Sequence, residues 1–345
     1  MPGTTPSSPM LLSEWAKRSG SAQAMKLVDC IYRGDSPLKF AEMVTSTRLV
    51  KSVAQNHNSA LPTNQFWRNL NEQAPEARSG SRLVTAPMHL LAATMSVDAA
   101  VYDDWMAHPT EEGDPFDAEY KRTSAKIGFD FDTCFFLNDR TDSGVNSSKA
   151  PAGLWYRLQN SASRLAEYQH NSQCVIDGGG LDITLATGTA ANALRVLELM
   201  RRLATKMGSA KSKKLCFFAN DQVWRNLDTL LATGTFYKTT DNQFEQTMTK
   251  YMGWTLVDVL KQADGSTDII PLVENAAGTA LSGSTFTSIY AVDFDPDKTH
   301  FWQRKTLKPE KLARNGVFYE ALIDYGVGWL NASDRGQGRV FNVKA

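Results

Sequence analysis

Residues 71–82 read NEQAPEARSGSR and are followed at residues 83–97 by LVTAPMHLLAATMSV. The first stretch holds almost no side chain that can pack into a core, whereas the second has the character of an extended strand. Another strand-like run, MVTSTRLV, lies upstream at residues 43–50. The pattern therefore predicts two long strands joined by a polar excursion, and not a compact domain. An excursion that buries so little of itself generally lies on a partner.

The clearest predicted helix follows at residues 114–137. Asp114 is a candidate N-cap, and Pro115 suits the first helical position. Apolar side chains recur at about every fourth residue, which predicts one buried face. They are Phe116, Tyr120, Ile127, Phe131 and Phe135.

The stretch after this helix reads as a boundary. Residues 138–151 are rich in Gly, Ser, Asn and Asp, which is typical of a loop between two parts of a molecule. The segment from Leu154 to Tyr168 is compatible with one helix. The run Asp177-Gly178-Gly179-Gly180 predicts a hard turn.

Residues 190–310 have the pattern of an α/β unit. One helix carries an apolar stripe made of Val196, Leu197, Met200, Leu203 and Met207. A short buried strand at residues 214–219 leads to a helix capped by Asn220 or Asp221. Further strands are predicted at residues 254–260 and 288–294 within this unit, and at 317–330 and 339–343 near the C-terminus.

Composition sets limits on the function. The 345 residues include 37 basic and 37 acidic side chains, and 42 % of them are hydrophobic. This length fits about two domains, and the hydrophobic fraction excludes a disordered chain. The formal net charge of zero excludes a global basic field, so any contact with nucleic acid must come from a local patch. The densest basic run, at residues 195–214, could touch nucleic acid or an acidic neighbour, although a solvated helix face is the commoner cause of such a run.

Motifs of catalytic and cofactor sites are missing from the sequence. It contains no H-E-x-x-H pair, no phosphate-binding glycine loop, no dinucleotide fingerprint and no G-x-S-x-G elbow. The cysteines Cys30, Cys134, Cys174 and Cys216 are too scattered for a zinc site or a disulfide framework. We therefore predict no catalytic residue, no cofactor and no metal. Neither a signal peptide nor an apolar run of roughly 18–20 residues occurs, so no membrane association is expected.

The order of these parts resembles the tailed-phage major capsid proteins of the Hong Kong 97 type. The stretch from Leu61 through Phe66 to Glu72, closing on Val97-Asp98, is similar to their extended loop. Asn220-Asp221, followed later by Tyr251-Met252-Gly253-Trp254, is similar to a segment of their axial domain. Asp324-Tyr325-Gly326-Val327-Gly328, followed by Arg339-Val340, looks like their C-terminal ending. The similarity extends over most of the chain from about residue 41.

The resemblance implies an α+β fold with an N-terminal arm, an extended loop, a peripheral domain with a long spine helix, and an axial domain. The implied boundaries follow the predicted elements. They are residues 1–40 for the arm, 41–105 for the extended loop and its flanking strands, 106–144 for the spine helix, 145–310 for the axial domain and 311–345 for a return into the peripheral domain.

The implied function is structural and not enzymatic. The chain would self-assemble, through pentamers and hexamers, into the icosahedral shell that encloses the double-stranded DNA genome of a tailed phage. A separate scaffolding protein is expected, because the chain starts at Met1 without an extra helical domain, and a portal is expected as well. Contact with packaged DNA would be weak and non-specific. The protein would assemble in the host bacterial cytoplasm and end in the virion.

Six residues of the extended loop are expected at the interface between subunits. They are Phe66, Trp67, Arg68, Glu72, Arg78 and Arg82. The two aromatic residues would anchor the loop on a neighbouring copy, because aromatic side chains dominate interface energies. The charged ones would form ion pairs between subunits. Lys17 and Arg18 of the arm would face inward.

Two alternative functions remain open at this stage. An encapsulin-like nanocompartment protein has the same fold but encloses enzymes. A soluble α/β ligand-binding protein or enzyme with an unrecognised site would be a monomer or a small oligomer, whereas a shell protein forms very large particles.

Overall fold

The structure is a computed structural model of the chain. It describes residues 36–55, 82–107, 115–142, 146–232, 238–243, 246–259, 261–262, 264–281, 285–304, 309–311 and 318–345. Within these ranges the α-helices are α1 (Ala99–Ala107), α2 (Pro115–Leu137), α3 (Leu154–Arg157), α4 (Ala162–Glu167), α5 (Ala190–Lys206) and α6 (Asp221–Leu231). The strands are β1 (Met43–Thr45), β2 (Val50–Gln55), β3 (Arg82–Pro87), β4 (His89–Asp98), β5 (Val175–Asp182), β6 (Leu215–Asn220), β7 (Lys238–Gln243), β8 (Gln246–Tyr251), β9 (Trp254–Val259), β10 (Phe286–Asp293), β11 (Thr299–Gln303), β12 (Pro309–Lys311), β13 (Phe318–Asn331) and β14 (Gln337–Lys344).

The described strands form two sheets and one ribbon. The first sheet has the order β1-β11-β13-β12, and β4 pairs with β13 as well. The second sheet has the order β5-β14-β10-β6-β9-β8-β7. It is mixed, because β6 pairs with β9 and β5 pairs with β14 in parallel, while its other pairs are antiparallel. The ribbon is the antiparallel pair β2–β3.

The two strands predicted around the polar excursion are present, but each is broken. The run at residues 43–50 divides into β1, which joins the first sheet beside β11, and the start of β2. The run at residues 83–97 divides at Met88, whose backbone N–H donates to the carbonyl of Leu49 over 2.6 Å. Beyond that point β4 pairs with β13 from Asp98 to His89. Among the described residues of 41–105, the ribbon strands therefore pair with neither sheet, whereas β1 and β4 are strands of the first sheet.

Helix α2 lies between the two sheets. Its Phe135 ring is 5.2 Å from the ring of Trp329 in the first sheet. The adjacent Phe136 ring is 5.4 Å from that of Phe218 in the second sheet. Ile127, Phe131 and Phe135 are all buried, which confirms this part of the predicted apolar face. A single core thus joins both sheets through one helix.

The second sheet has another core on its far face, where α5 and α6 pack. Val196, Met200 and Leu203 of α5 are completely buried, as the predicted stripe requires. Helix α5 begins after Thr189, whose hydroxyl accepts a hydrogen bond from the backbone N–H of Asn192. The side chain of Asn220 caps α6 in the same way. The α/β pattern predicted for this part of the chain is confirmed.

Two local predictions were wrong. The segment from Leu154 to Tyr168 is not one helix but two short ones, α3 and α4, and between them the Leu158 carbonyl accepts a hydrogen bond from the Arg339 side chain over 3.0 Å. The glycine run lies inside β5 and is not a reversal. Gly179 and Gly180 have positive φ and form an irregularity where the register against β14 shifts.

The division between the sheets does not coincide with a boundary at residue 310. Strands β11 and β12 precede or span that residue and belong to the first sheet, whereas β14 lies between β5 and β10 in the second. The burial of β14 explains its place. Nearly all of its residues are buried, so both of its faces must be covered, and only an inner strand of a sheet with packing on both sides provides that.

A buried ion pair fastens β14 to its surroundings. The guanidinium of Arg339 contacts the carboxylate of Glu274, and both side chains are almost fully buried. Trp155 donates its indole N–H to the same carboxylate over 2.9 Å, and Ser288 donates its hydroxyl to it. Burial lowers the pKa of Arg339 to about 9, which leaves the guanidinium charged at neutral pH. The pair is therefore a charged network in a low-dielectric core.

Replacing Glu274 with Gln should destabilise the subunit strongly. The substitution keeps the shape but leaves the Arg339 charge uncompensated, which costs about 3–5 kcal/mol when a buried partner is removed. Urea unfolding of the unassembled subunit measures the loss. The matched control is Asp130→Asn, which breaks the exposed pair between Lys126 and Asp130 and should cost no more than about 0.5 kcal/mol. Equal losses in both variants would contradict a stabilising role for the buried pair.

Candidate assembly surface

The described residues hold no obvious chemical centre. No group of three or more His, Cys, Asp or Glu side chains among them is placed to bind a metal. Burial raises the pKa of Cys134 to about 11 and that of Cys174 to about 12, so neither thiol is a ready nucleophile at neutral pH. In the part of the chain that is described, no helix is long and apolar enough to span a membrane.

The ribbon β2–β3 has two different faces because successive side chains alternate across a strand. Its inner face packs against the first sheet. Val53, Val84 and Ala86 are partly buried there against a cluster that includes Trp302 and Leu330. This contact fixes the orientation of the ribbon on the body of the subunit.

The other face of the ribbon is exposed along its whole described length. We define the outer ribbon face as Val50, Ser52, Ala54, Leu83, Thr85 and Pro87. Leu83 is 68 % exposed and Val50 is 53 % exposed. The hydroxyls of Ser52 and Thr85 bond each other across the strands over 2.9 Å, so they satisfy part of their polar demand within the face. The result is an ordered and largely apolar surface that nothing in the described chain covers.

Half of the large exposed apolar side chains of the described residues lie in the part of the sequence that contains the ribbon. Twelve large hydrophobic side chains are exposed in the described residues, and six of them lie between residues 44 and 101. These six are Val44, Leu49, Val50, Leu83, Leu90 and Val101. Single exposed apolar residues are common, but Val50 and Leu83 lie together on the outer ribbon face, which favours a contact surface there.

A buried polar cluster, which we call the root cluster, holds the end of the ribbon at Gln55. The Gln55 amide donates to the carbonyl of Asn331 over 3.2 Å and to that of Gln169 over 3.4 Å. The Asn331 amide lies 3.1 Å from the ring of His170. The guanidinium of Arg157 stacks near the ring of Trp329, with 5.9 Å to the centroid. Burial, helped by the charge of Arg157, holds the pKa of His170 well below its ordinary value.

A cavity of about 490 Å³ opens beside the same sheet. Strand β4, helix α2 and residues 146–151 line it, with Phe131 and Trp329 on its apolar side. Lys126 and Lys149 supply its cations, and the only carboxylate in the lining is that of Asp130, which already pairs with Lys126. The mixed lining has room for an apolar side chain next to Phe131 and Trp329.

Most of the predicted interface residues fall outside the described residues. These are Phe66, Trp67, Arg68, Glu72 and Arg78, and the same holds for Lys17 and Arg18 of the arm. The backbone of Arg82 is described and lies opposite Gln55 at the end of the ribbon, but its side chain is not. The outer ribbon face was not predicted. The alternation in VKSVAQ at residues 50–55 is the signal that could have revealed it.

Comparisons with known proteins address the fold. No protein-family model matches the chain, and no curated protein matches its sequence. The chain is similar to the capsid of an empty GTA particle, with a TM-score of 0.59, 13 % identity and 90 % of both chains covered. It is similar to the SrpI encapsulin from Synechococcus elongatus PCC 7942, with a TM-score of 0.56, 11 % identity, and 90 % of this chain and 89 % of that chain covered. A structure from Mycobacterium phage Bobi gives a TM-score of 0.52 and 12 % identity over 91 % of each chain.

The sequence-based prediction of the fold is confirmed by these likenesses. The chain has the α+β capsid fold of the Hong Kong 97 type, and the match extends over about nine tenths of its length. At identities of 11–13 %, the likeness establishes the fold, whereas what the fold does here depends on the surfaces described above.

The buried His170 should make the subunit sensitive to acid. The folded protein disfavours the proton, while the unfolded chain takes it up near pKa 6.5. The contribution of neutral His170 to the free energy of unfolding should therefore be fully present above about pH 6.5 and should be lost as the pH falls below that value. The free energy of unfolding, measured with urea at several pH values below 6.5, should fall less steeply with pH in His170→Gln than in the wild-type protein, by up to about 1.4 kcal/mol per pH unit. Identical slopes in the two proteins would contradict this linkage.

Proposed function

We propose that the chain is the major capsid protein of a tailed bacteriophage, and that its copies self-assemble into the icosahedral shell around the double-stranded DNA genome. The observation that carries the proposal is the outer ribbon face, which is ordered, largely apolar and uncovered in the described chain. The capsid fold over 90 % of the chain supports it, because similar chains build closed particles. In this role the protein works through contacts between subunits and not through catalysis.

The energetics of such a surface favour many weak contacts over one strong contact. Burying a large apolar side chain such as Leu83 contributes about 1.5–3 kcal/mol. Association of two subunits costs several kcal/mol in lost freedom, so a single ribbon cannot hold a pair together. A subunit in a closed shell makes several contacts of about 800 Å² per partner, and each contact raises the effective concentration for the next. Rings of five and six copies close this arrangement by rotation.

The polar excursion beyond the ribbon would extend the same contact. Phe66 and Trp67 would anchor the tip of the extended loop on a neighbouring copy, as aromatic residues commonly do at interfaces. Arg68, Glu72 and the residues Arg78 and Arg82 would form ion pairs there. The root cluster around Gln55 supports this proposal because it gives the loop a fixed point of departure.

Other parts of the chain receive roles by the same reasoning. Residues 1–40 would form the arm, with Lys17 and Arg18 facing inward, and 106–144 the spine helix. Residues 145–310 would form the axial domain except for β11 and β12, which belong to the first sheet. Because β14 lies in the second sheet, residues 311–345 would contribute to both parts of the subunit. A separate scaffolding protein and a portal would assist assembly in the host bacterial cytoplasm. The finished protein would reside in the virion with weak, non-specific contact to the packaged DNA.

An encapsulin-like nanocompartment is the second candidate. The likeness to the SrpI encapsulin supports it, because that TM-score of 0.56 is close to the 0.59 of the GTA capsid. The contents of purified particles distinguish the two functions: packaged nucleic acid supports the phage capsid, and a single enclosed enzyme supports the nanocompartment. A soluble ligand-binding protein or enzyme would form no particles at all.

The wild-type protein should sediment as particles of megadalton size, and Leu83→Lys should reduce that fraction at least tenfold. The added charge would have to be buried at the contact, whereas in the free subunit residue 83 is exposed and the unfolding free energy should change by no more than about 0.5 kcal/mol. Sedimentation velocity measures the fraction in particles. The control is Leu185→Lys, which changes an equally apolar side chain that is 53 % exposed away from the ribbon. Equal losses in both variants would remove the special role of the ribbon, and a monomeric wild-type protein would refute the shell.

Truncating Trp67 to Ala should weaken the shell without affecting the fold of the free subunit. An interface aromatic of this kind contributes about 2 kcal/mol or more per contact. Electron microscopy and thermal disassembly of purified particles provide the measurement. Shells of unchanged appearance and unchanged heat stability would show that Trp67 is not an anchor.

Electron density for the arm on the outer surface of the shell would contradict an inward position of Lys17 and Arg18.

A further inference from the structure

Helix α5 and the segment after it carry a concentration of positive charge. Between residues 190 and 214 there are seven basic side chains and one acidic one, Glu198. The basic residues are Arg195, Arg201, Arg202, Lys206, Lys211, Lys213 and Lys214. All of them except the half-buried Lys206 are exposed. This local excess of +6 contrasts with the zero net charge of the whole chain.

Most of these cations have no ion-pair partner among the described residues, and they lie closer together along the chain than the other unpaired cations of the described surface, such as Arg48, Lys149 and Arg225. Elsewhere, Lys126, Arg164 and Arg304 each pair with a carboxylate at 2.5 Å, 2.7 Å and 3.2 Å. In the segment itself, Lys214 pairs with Glu42 over 3.0 Å. Among the described residues, the structure places no carboxylate within ion-pair distance of the remaining exposed members. They are Arg195, Arg201, Arg202, Lys211 and Lys213.

The geometry of the helix places three of these charges in a row along one side of α5. Arg195, Arg202 and Lys206 are seven and four residues apart, so they lie along one side of α5 at intervals of about 10 Å and about 6 Å. The helix cannot rotate, because the opposite side is completely buried in the second core. After the helix, Gly208 adopts a φ of +66° and ends it, and the chain continues at the surface through Lys211 and Lys213.

We infer that this basic face of α5 contacts the phosphate backbone of the duplex DNA inside the shell, and that α5 therefore faces the lumen. The inference rests on the proposed capsid function. A row of unpaired, flexible cations without a pocket suits a linear array of phosphates, which needs charge but no particular shape. Because the whole chain has a net charge of zero, the residues outside this segment carry a net charge of −6, so the contact stays local, weak and dependent on salt. An acidic surface on a neighbouring copy is the competing occupant, and the experiment separates the two.

The test compares two triple variants of the full-length protein that lose the same charge. One is Arg195→Gln with Arg201→Gln and Arg202→Gln, which removes unpaired cations of α5. The matched control is Lys126→Gln with Arg164→Gln and Arg304→Gln, which removes paired cations elsewhere. Binding of the unassembled subunit to a short labelled DNA duplex is measured by fluorescence anisotropy over a series of salt concentrations.

In the α5 variant, the slope of log K against the logarithm of the salt concentration should be smaller in magnitude by about 2.7, since each of the three lost phosphate contacts contributes about 0.9. The control should keep the wild-type slope. A slope unchanged in the α5 variant, or reduced equally in both, would overturn the inference. Loss of shells in the α5 variant with an unchanged slope would instead assign the face to a contact between subunits and would also overturn it.

Cryo-electron microscopy of DNA-filled particles supplies a second measurement that does not depend on any variant. Density for the outermost DNA layer should lie against α5. Shells with α5 on the outer surface would refute the DNA contact but leave the capsid function intact. Failure of the wild-type protein to form any shell would refute the capsid function itself, so the two failures are distinguishable.

Discussion

The fold depends on one helix, α2, which packs against both sheets at once. Adjacent side chains on a helix point about 100° apart, so Phe135 and Phe136 of α2 reach different layers. One ring meets Trp329 of the first sheet and the other meets Phe218 of the second. Because these rings are fully buried, neither sheet can move relative to α2 without opening the core. The relative position of all remaining surfaces follows from this contact.

Once both cores are closed, the apolar surface that remains is not distributed evenly. The far face of the second sheet is covered by α5 and α6, whereas the ribbon β2–β3 has no layer on its outer side in the described chain. A monomeric protein could have placed polar residues at the positions of Val50 and Leu83 at no structural cost. The apolar character of these positions is accounted for by the proposed contact with another copy, which would cover them.

Charge is segregated in the same way. The core contains one fully compensated pair, Arg339 with Glu274, and described surface cations outside α5 include several that pair with neighbouring carboxylates. Within the described ranges, five exposed cations without a carboxylate partner lie close together on α5 and the segment that follows it. Although the net charge is zero, the subunit has a basic surface on α5 and, on a different element, the apolar outer ribbon face. Such a distribution suits a subunit that meets its own copies on one side and a polyanion on another.

The sequence alone determined the elements with a strong local signal. These are the Ile127, Phe131 and Phe135 part of the buried face of α2, the stripe of α5, and the strands β6, β9, β10 and β13, because 3.6-residue repeats and runs of β-prone apolar residues are local properties. It also determined the order of parts that resembles the capsid fold. It could not reveal that the Leu154–Tyr168 segment is divided, with the Leu158 carbonyl between its two helices accepting a hydrogen bond from Arg339, which is far away in sequence. Nor could it place β14 in the second sheet or show which side of the ribbon is covered. Those features were decided only by tertiary structure, because strand pairing and burial depend on residues that the chain brings together over long distances.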